Sequence, residues 1–175
     1  PGDPSSAAFV MVAALISADS DITIPAVGMN PLRTGLITTL QEMGGNIEIG
    51  NERIEGDEKI ADIRVRHSKL TGIAVPPERA ASMIDEYPVL SVAASVATGQ
   101  TVMQGVAELR VKETDRIKVM ADGLAMAGVT VTYDENSMTV TGGTIKGGVS
   151  IASQHDHRIA MSFLTLGMVA EESIT

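Results

Sequence analysis

Tyr87-Pro88-Val89-Leu90-Ser91-Val92-Ala93-Ala94-Ser95-Val96-Ala97-Thr98 follows the acidic pair Asp85-Glu86 and leads into a short strand-like run, Thr101 to Val106. Its length and its Ala and Leu content read as a buried helix. The arrangement recurs: Pro4 to Ser17 follows Gly2-Asp3, and His157 to Ala170 follows Asp156, each apolar and Ala-rich behind a polar opening. A recurrence of this kind marks a repeat architecture. After the first two segments come strand-like runs, Asp21 to Val27 and Thr101 to Val106, and then amphipathic helices from about Leu32 to Met43 and from about Thr114 to Met126. Gly44 and Gly128 close those helices, as glycine commonly does. An alternating pair follows each glycine: Asn46 to Arg53 returning through Ala61 to His67, and Val129 to Tyr133 returning through Met138 to Thr141 around Asp134-Glu135-Asn136. The unit is helix, strand, helix, strand, strand, with a period of about 80 and then about 70 residues. An α/β fold is predicted. A third copy opens at Asp156, and Ser173-Ile174-Thr175 stands where its strand should begin, so that copy is expected to be truncated. The opening on Pro1 rather than Met leads to the further expectation of a piece taken from a longer chain.

With 175 residues, 44% hydrophobic and 20% charged, the chain has the composition of a soluble globular protein with one real core. Its longest apolar run, Ala7 to Ile16, falls short of the roughly 18 to 20 residues that span a bilayer, and no basic segment precedes it. A cytoplasmic protein with no membrane partner is expected. Cysteine is absent, which excludes disulfides and thiolate metal sites, and two Phe, two Tyr and no Trp leave no platform for stacking bases. Nucleic acid is therefore not an expected partner. The net charge of −9 repels anions at long range, so phosphate chemistry would need a local concentration of Lys and Arg.

Arg110-Val111-Lys112-Glu113-Thr114-Asp115-Arg116 supplies one, with three cations and two carboxylates in seven residues ahead of a predicted helix. A helix N-terminus carries unpaired N–H groups and partial positive charge, so cations there strengthen an anion-binding field. Glu113, flanked by Lys112 and Arg116, reads either as a proton-transfer group or as one end of an i,i+3 ion pair. Asp85, just ahead of a helix, reads from local sequence as an N-cap. Arg116 and Arg158 stand near helix starts, and their guanidinium forks suit a planar carboxylate, against the alternative of exposed helix arginines. His155-Asp156-His157 does not point both rings at one ion, so no metal is expected. Ser5-Ser6 lacks the context of a nucleophile elbow and reads as helix capping, and Gly142-Gly143 and Gly147-Gly148 read as a turn-rich connection.

Arg110 to Ile117, read as R-V-K-E-T-D-R-I, resembles the signature of the 5-enolpyruvylshikimate-3-phosphate synthase family. Three further segments match in the family's order: Gly2-Asp3-Pro4-Ser5-Ser6-Ala7, Asn30-Pro31-Leu32-Arg33-Thr34-Gly35 and Asp156-His157-Arg158-Ile159-Ala160-Met161. Met83 to Pro88 resembles the glyphosate-tolerant subclass. The resemblance implies a two-domain enzyme whose domains are inside-out α/β barrels of three βαβαββ-type units, with helices at the centre and sheets outside. Residues 1–175 would be a partial copy of the C-terminal-side domain. The implied reaction adds the 5-hydroxyl of shikimate 3-phosphate to C2 of phosphoenolpyruvate, protonates C3 and eliminates phosphate, without a cofactor, in aromatic amino acid synthesis. By resemblance Glu113 is acid and base at the methylene carbon, and Asp85 binds the shikimate hydroxyls and takes the attacking proton. Lys112 is assigned to shikimate 3-phosphate, Arg116 and Arg158 to phosphoenolpyruvate, and His157 to the site wall. The implied parent is a monomer that glyphosate can inhibit, and a part of it is expected to be inert alone because the two domains close over the substrates. The alternatives are the related enzyme acting on UDP-N-acetylglucosamine, against which K-E-T-D-R argues, and a non-catalytic binding domain of the same fold.

Overall fold

The computed structural model describes residues 1–175, in the order α1 (Pro4–Ile16), β1 (Asp21–Gly28), α2 (Gly35–Glu42), β2 (Asn46–Glu55), β3 (Glu58–Arg66), β4 (Ala74–Val75), α3 (Tyr87–Val96), β5 (Gln100–Gln104), α4 (Arg116–Met126), β6 (Thr130–Tyr133), β7 (Ser137–Thr141) and α5 (His157–Gly167). Short 3-10 turns precede α2, α3 and α4, at Pro31–Arg33, Ile84–Glu86 and Ala107–Val111. The apolar segments become helices for local reasons as well as for their burial. Pro4 fits the first turn of α1, where its missing N–H is no loss, and the Asp3 carboxylate accepts from Ser6 N at 2.9 Å. Asp156 does the same for α5, accepting from Arg158 N at 2.9 Å and Ile159 N at 3.4 Å.

Two sheets flank the helices. In the first the order is β1-β3-β2, and in the second it is β4-β5-β7-β6. Pairing is antiparallel throughout except between β4 and β5, which are parallel. The first sheet repeats the second once Gly2 is included, since it bridges Val27 in parallel as β4 pairs with β5. A third parallel bridge joins Val149 to Ile174. Each unit therefore opens with a strand ahead of its apolar helix, the βαβαββ pattern. These leading strands are one or two residues long, too short to show any alternation in sequence.

α1, α3 and α5 pack on one another at the centre. Every residue from Tyr87 to Ser95 of α3 is buried, so this helix has no solvent face. A single cluster of 43 buried apolar residues runs from Ala7 to Leu166, so the three units share one core. The sheets stay open, and the expectation of a barrel is corrected on this point: central helices take up the apolar faces of two separate sheets, and no strand joins one sheet to the other.

Both amphipathic helices end as their glycines dictate. Gly44 and Gly128 have φ of 90° and 93°, and the following residues donate back over the last turn, Gly45 N to Leu40 O at 2.8 Å and Val129 N to Leu124 O at 2.9 Å. The starts differ from the sequence reading. α2 begins at Gly35 rather than Leu32, because Asn30 caps a 3-10 turn by accepting from Leu32 N at 2.9 Å. β2 and β3 extend toward each other past Arg53 and Ala61 to a tight turn at Gly56-Asp57, with φ of 57° and 65°. That end of the hairpin is exposed on most of its residues, so no hydrophobic alternation marks it.

Leu90 is fully buried in α3, whereas Leu164 on α5 is 72% exposed. Leu90→Ala is expected to cost about 2 to 5 kcal/mol in chemical denaturation. Leu164→Ala should stay within about 0.5 kcal/mol.

Candidate active site

The N-terminal ends of the three central helices meet. Ser5 of α1 touches Glu86, which precedes α3, and Arg158 of α5 donates to the backbone oxygen of Asp85 at 3.3 Å. Into this junction comes the first residue of α4, Arg116, which is only 1% exposed. Its Nε donates to Asp156 Oδ2 at 2.7 Å, its Nη1 to Asp85 Oδ1 at 3.0 Å, and its Nη2 to Glu113. Burial opposes the charge on Arg116, but the bond to Asp156 and the charges of Asp156, Glu113 and Asp85 outweigh it and raise the pKa. Asp156 is fully buried. Burial alone would raise its pKa, yet the Arg116 bond and charge and the amides of Arg158 and Ile159 hold it below its ordinary value. Thr114 Oγ1 adds a bond to Asp156 Oδ2 at 3.3 Å.

Asp85 lies in the 3-10 turn and caps nothing, since α3 begins without a side-chain cap. Its carboxylate instead faces three cations: Arg116, Arg158 Nη2 at 3.5 Å and Lys112 Nζ at 3.7 Å. Lys112 is also held by Glu108 at 2.6 Å, the main reason its pKa is raised, with the Asp85 charge adding to it. The Glu113 side chain is 53% exposed, so one oxygen is anchored by Arg116 while the group still faces solvent. The structure thus brings Asp85, Lys112, Glu113, Arg116 and Arg158 together. His157 is exposed on the first turn of α5, and its side chain makes no hydrogen bond or ion pair.

Arg110 of the charged run and Lys118, two residues beyond it, point elsewhere. Arg110 donates to Asp115 at 2.5 Å and to the backbone oxygens of Asp134 and Glu135 at 2.5 and 3.1 Å, with its guanidinium 5.9 Å from the Tyr133 ring. It fastens the Lys112-Glu113 segment to the β6–β7 turn. Lys118 pairs with Asp122 on the outer face of α4. The anion-binding field expected across the whole run therefore reduces to Lys112 and Arg116, joined by Arg158 from another unit.

Two residues not singled out from sequence belong to the same junction. Glu86, 7% exposed, accepts from Ser5 Oγ. Arg33 donates to Ser5 Oγ at 2.8 Å and Asp3 at 3.0 Å. The repeat carries a signal for Arg33, which precedes the amphipathic helix of the first unit as Arg116 opens that of the second. A cavity of about 80 Å³ takes in Ser5, Arg33, Asp85 and Glu86, and one of about 490 Å³ lies against Asp3, Asn30, Arg33 and Lys59. Glu113 lines neither, and its side chain, 53% exposed, faces solvent. No group of three or more His, Cys, Asp or Glu is placed to hold a metal, and no helix is long and apolar enough to cross a membrane.

The chain is thus a repeat-built α/β protein whose central helix ends converge on paired guanidinium and carboxylate groups, chemistry that is able to hold a planar anion beside an acid or base. The family model described as EPSP synthase (3-phosphoshikimate 1-carboxyvinyltransferase) matches residues 1–175, and the chain belongs to that family. The 3-phosphoshikimate 1-carboxyvinyltransferase of a Pseudomonas species is 60% identical over all of this chain and 40% of its own length, and that of Brucella canis is 59% identical with the same coverage. An EPSP synthase from Acinetobacter baumannii superposes with a TM-score of 0.96 at 48% identity, over 99% of this chain and 41% of that one. The enolpyruvyl transferase NikO from Streptomyces tendae, at a TM-score of 0.63 and 14% identity over 98% of this chain and 37% of that one, shares the fold. The chain spans about 40% of the length of the curated relatives it matches.

Removing the charge of Asp156 would leave the Arg116 guanidinium buried against two partly exposed carboxylates. Asp156→Asn is expected to lower stability at neutral pH by about 3 to 5 kcal/mol. Because Asp156 titrates below its ordinary 3.8 in the folded chain, its stabilisation is complete above that value and is lost as pH falls below it. Denaturation midpoints from pH 7 to pH 2 should therefore fall less steeply on the acid side in Asp156→Asn than in the wild type.

Proposed function

We propose that this chain supplies most of the C-terminal-side domain of a 3-phosphoshikimate 1-carboxyvinyltransferase, which transfers the enolpyruvyl group of phosphoenolpyruvate to the 5-hydroxyl of shikimate 3-phosphate. The observation that carries the reading is the buried Arg116 guanidinium shared by Asp85, Glu113 and Asp156, with Lys112 and Arg158 beside it. Asp156 fixes Arg116 from behind and keeps the fork turned to the open face. The phosphoenolpyruvate carboxylate takes the outer donors of Arg116 and of Arg158 in place of Glu113 and Asp85, an exchange of one carboxylate for another at the same guanidinium. Glu113, so released, takes up a proton from solvent on its exposed side and delivers it to C3 while the acceptor oxygen bonds to C2 and Asp85 takes the hydroxyl proton. In the second half the C2–O bond to phosphate breaks, Glu113 takes a proton back from C3 as the double bond re-forms, and phosphate leaves with the proton held on Asp85.

Lys112 neutralises charge on shikimate 3-phosphate, and His157 lines the margin of the site. No cofactor or metal is required by these steps. The open face at Glu113 supports a further element of the reading, that another domain closes over the substrates and excludes water. The parent enzyme is read as a cytoplasmic monomer of aromatic amino acid synthesis and as a target of glyphosate.

Phosphate release by the full-length parent is the test, with phosphoenolpyruvate and either shikimate 3-phosphate or UDP-N-acetylglucosamine as acceptor. Release with shikimate 3-phosphate alone supports the assignment. Release with the sugar nucleotide alone, or with neither, removes it. Glu113→Gln in the parent should lower kcat by about 10²- to 10⁴-fold. Arg158→Lys should raise the KM for phosphoenolpyruvate more than that for shikimate 3-phosphate, since lysine cannot offer a fork. The 175-residue chain alone should give no detectable turnover.

A further inference from the structure

Asp85 and Glu86 are neighbours in sequence with opposite surroundings. The Asp85 side chain is 37% exposed and faces the open side, whereas that of Glu86 is 9% exposed. A carboxylate so buried needs partners, and helix capping does not explain it, since α3 has no side-chain cap. Its partners come from the two other units. Ser5 Oγ donates to Glu86 Oε1 at 2.5 Å, and Arg158 Nη1 stands 3.7 Å from the same oxygen. The serine proton has one direction open to it, because Arg33 Nη2 already occupies a lone pair of Ser5 Oγ at 2.8 Å. The row Asp3, Arg33, Ser5, Glu86, Arg158 thus connects the first, second and third units through side chains alone.

We infer that Glu86 is a positioning residue which, tied to Ser5 and Arg33, fixes the direction of the Arg158 guanidinium. Arg158 has two anionic neighbours of different kinds. Asp85 is the exposed one, and in the proposed chemistry it turns to the acceptor hydroxyl. Glu86 remains when Asp85 is engaged, so Arg158 keeps a counter-charge beside the bond its Nη1 makes to the Asp85 backbone oxygen at 3.3 Å. Burial raises the pKa of Glu86, and the neighbouring Asp85 charge works the same way. The Ser5 bond and the Arg158 and Arg33 charges oppose that rise, so these groups also help to keep the carboxylate charged.

The effect on substrate binding rests on the proposed assignment of Arg158 to phosphoenolpyruvate, and two readouts separate the inference from that assignment. The first is hydrogen exchange at the Arg158 Nη protons, followed by NMR in the 175-residue chain. Glu86→Gln keeps an oxygen for Ser5 and nearly the same volume while removing the charge, so it should speed this exchange about fivefold or more with the thermal midpoint unchanged. The second is kinetics of the full-length enzyme. There Glu86→Gln should raise the KM for phosphoenolpyruvate about tenfold, with kcat and the KM for shikimate 3-phosphate within about twofold. Ser5→Ala should move both quantities the same way by less. Unchanged Arg158 exchange in Glu86→Gln overturns the inference, as does an equal rise in both KM values. A wild-type enzyme inactive with both acceptors removes the functional reading instead, and the exchange measurement then decides the inference by itself.

Discussion

The buried pair of Arg116 and Asp156 is the constraint on which the rest of the site depends. A guanidinium 1% exposed and a carboxylate fully buried are each costly to desolvate, and they persist only because each satisfies the other and both have further partners. Arg116 opens α4 in the second unit and Asp156 caps α5 in the third. Their bond therefore sets how two repeats meet. Both Asp156 oxygens are used: Oδ1 accepts from the amides that begin α5 and from Arg116 Nη2 at 3.4 Å, and Oδ2 takes the Arg116 Nε and Thr114 Oγ1. An apolar pair of similar size could hold the helices together as well. It could not also hold the carboxylates of Asp85 and Glu113, which the remaining donors of this fixed guanidinium do.

The repeat makes the site, and departures from the repeat give it chemistry. Three central helices bring three polar openings to one place, so a sequence pattern that exists to bury Ala, Leu and Val also concentrates Asp3, Asp85 and Asp156 at neighbouring helix starts. In the first unit Arg33 bonds Asp3 and Ser5, while in the second Arg116 reaches across to Asp85 and Asp156. Arg33 is half exposed and Arg116 is buried, so equivalent places in two units yield one surface clamp and one core charge.

Much of the fold was legible because its signals are local. Ala-rich runs of helical length, alternating pairs and the glycines at Gly44 and Gly128 each report a backbone preference that tertiary contacts reinforce. The leading strands were not legible, since Gly2 and Ala74–Val75 are too short to alternate. The open sheets were not either, because whether a sheet closes depends on what covers its edges. Within the site, the charged run drew attention to Lys112, Glu113 and Arg116 together, but composition could not say that Arg110 turns away to hold Asp134 and Glu135. Nor could it say that Arg116 is buried, since arginine is normally found outside. Glu86 was hidden for a related reason. Beside Asp85 it reads as a second acid at a helix start, and only the partners Ser5 and Arg158, 81 and 72 residues away, distinguish the two.

The charge balance of the site argues for exchange rather than simple attraction. Lys112, Arg116 and Arg158 face Asp85, Glu86, Glu113 and Asp156, so the cations meet at least as many anions, in a chain whose net charge is −9. Such a surface does not gather phosphates by long-range field. It accepts an anion only where that anion can replace a carboxylate already bound, and the two that can leave are Glu113 and Asp85, the exposed ones. In the proposed chemistry, that displacement is also what sets them free for proton transfer. On the proposed chemistry, occupancy of Arg116 by a substrate carboxylate and release of Glu113 would be one event, so that Glu113 takes up its proton only when there is a carbon to receive it.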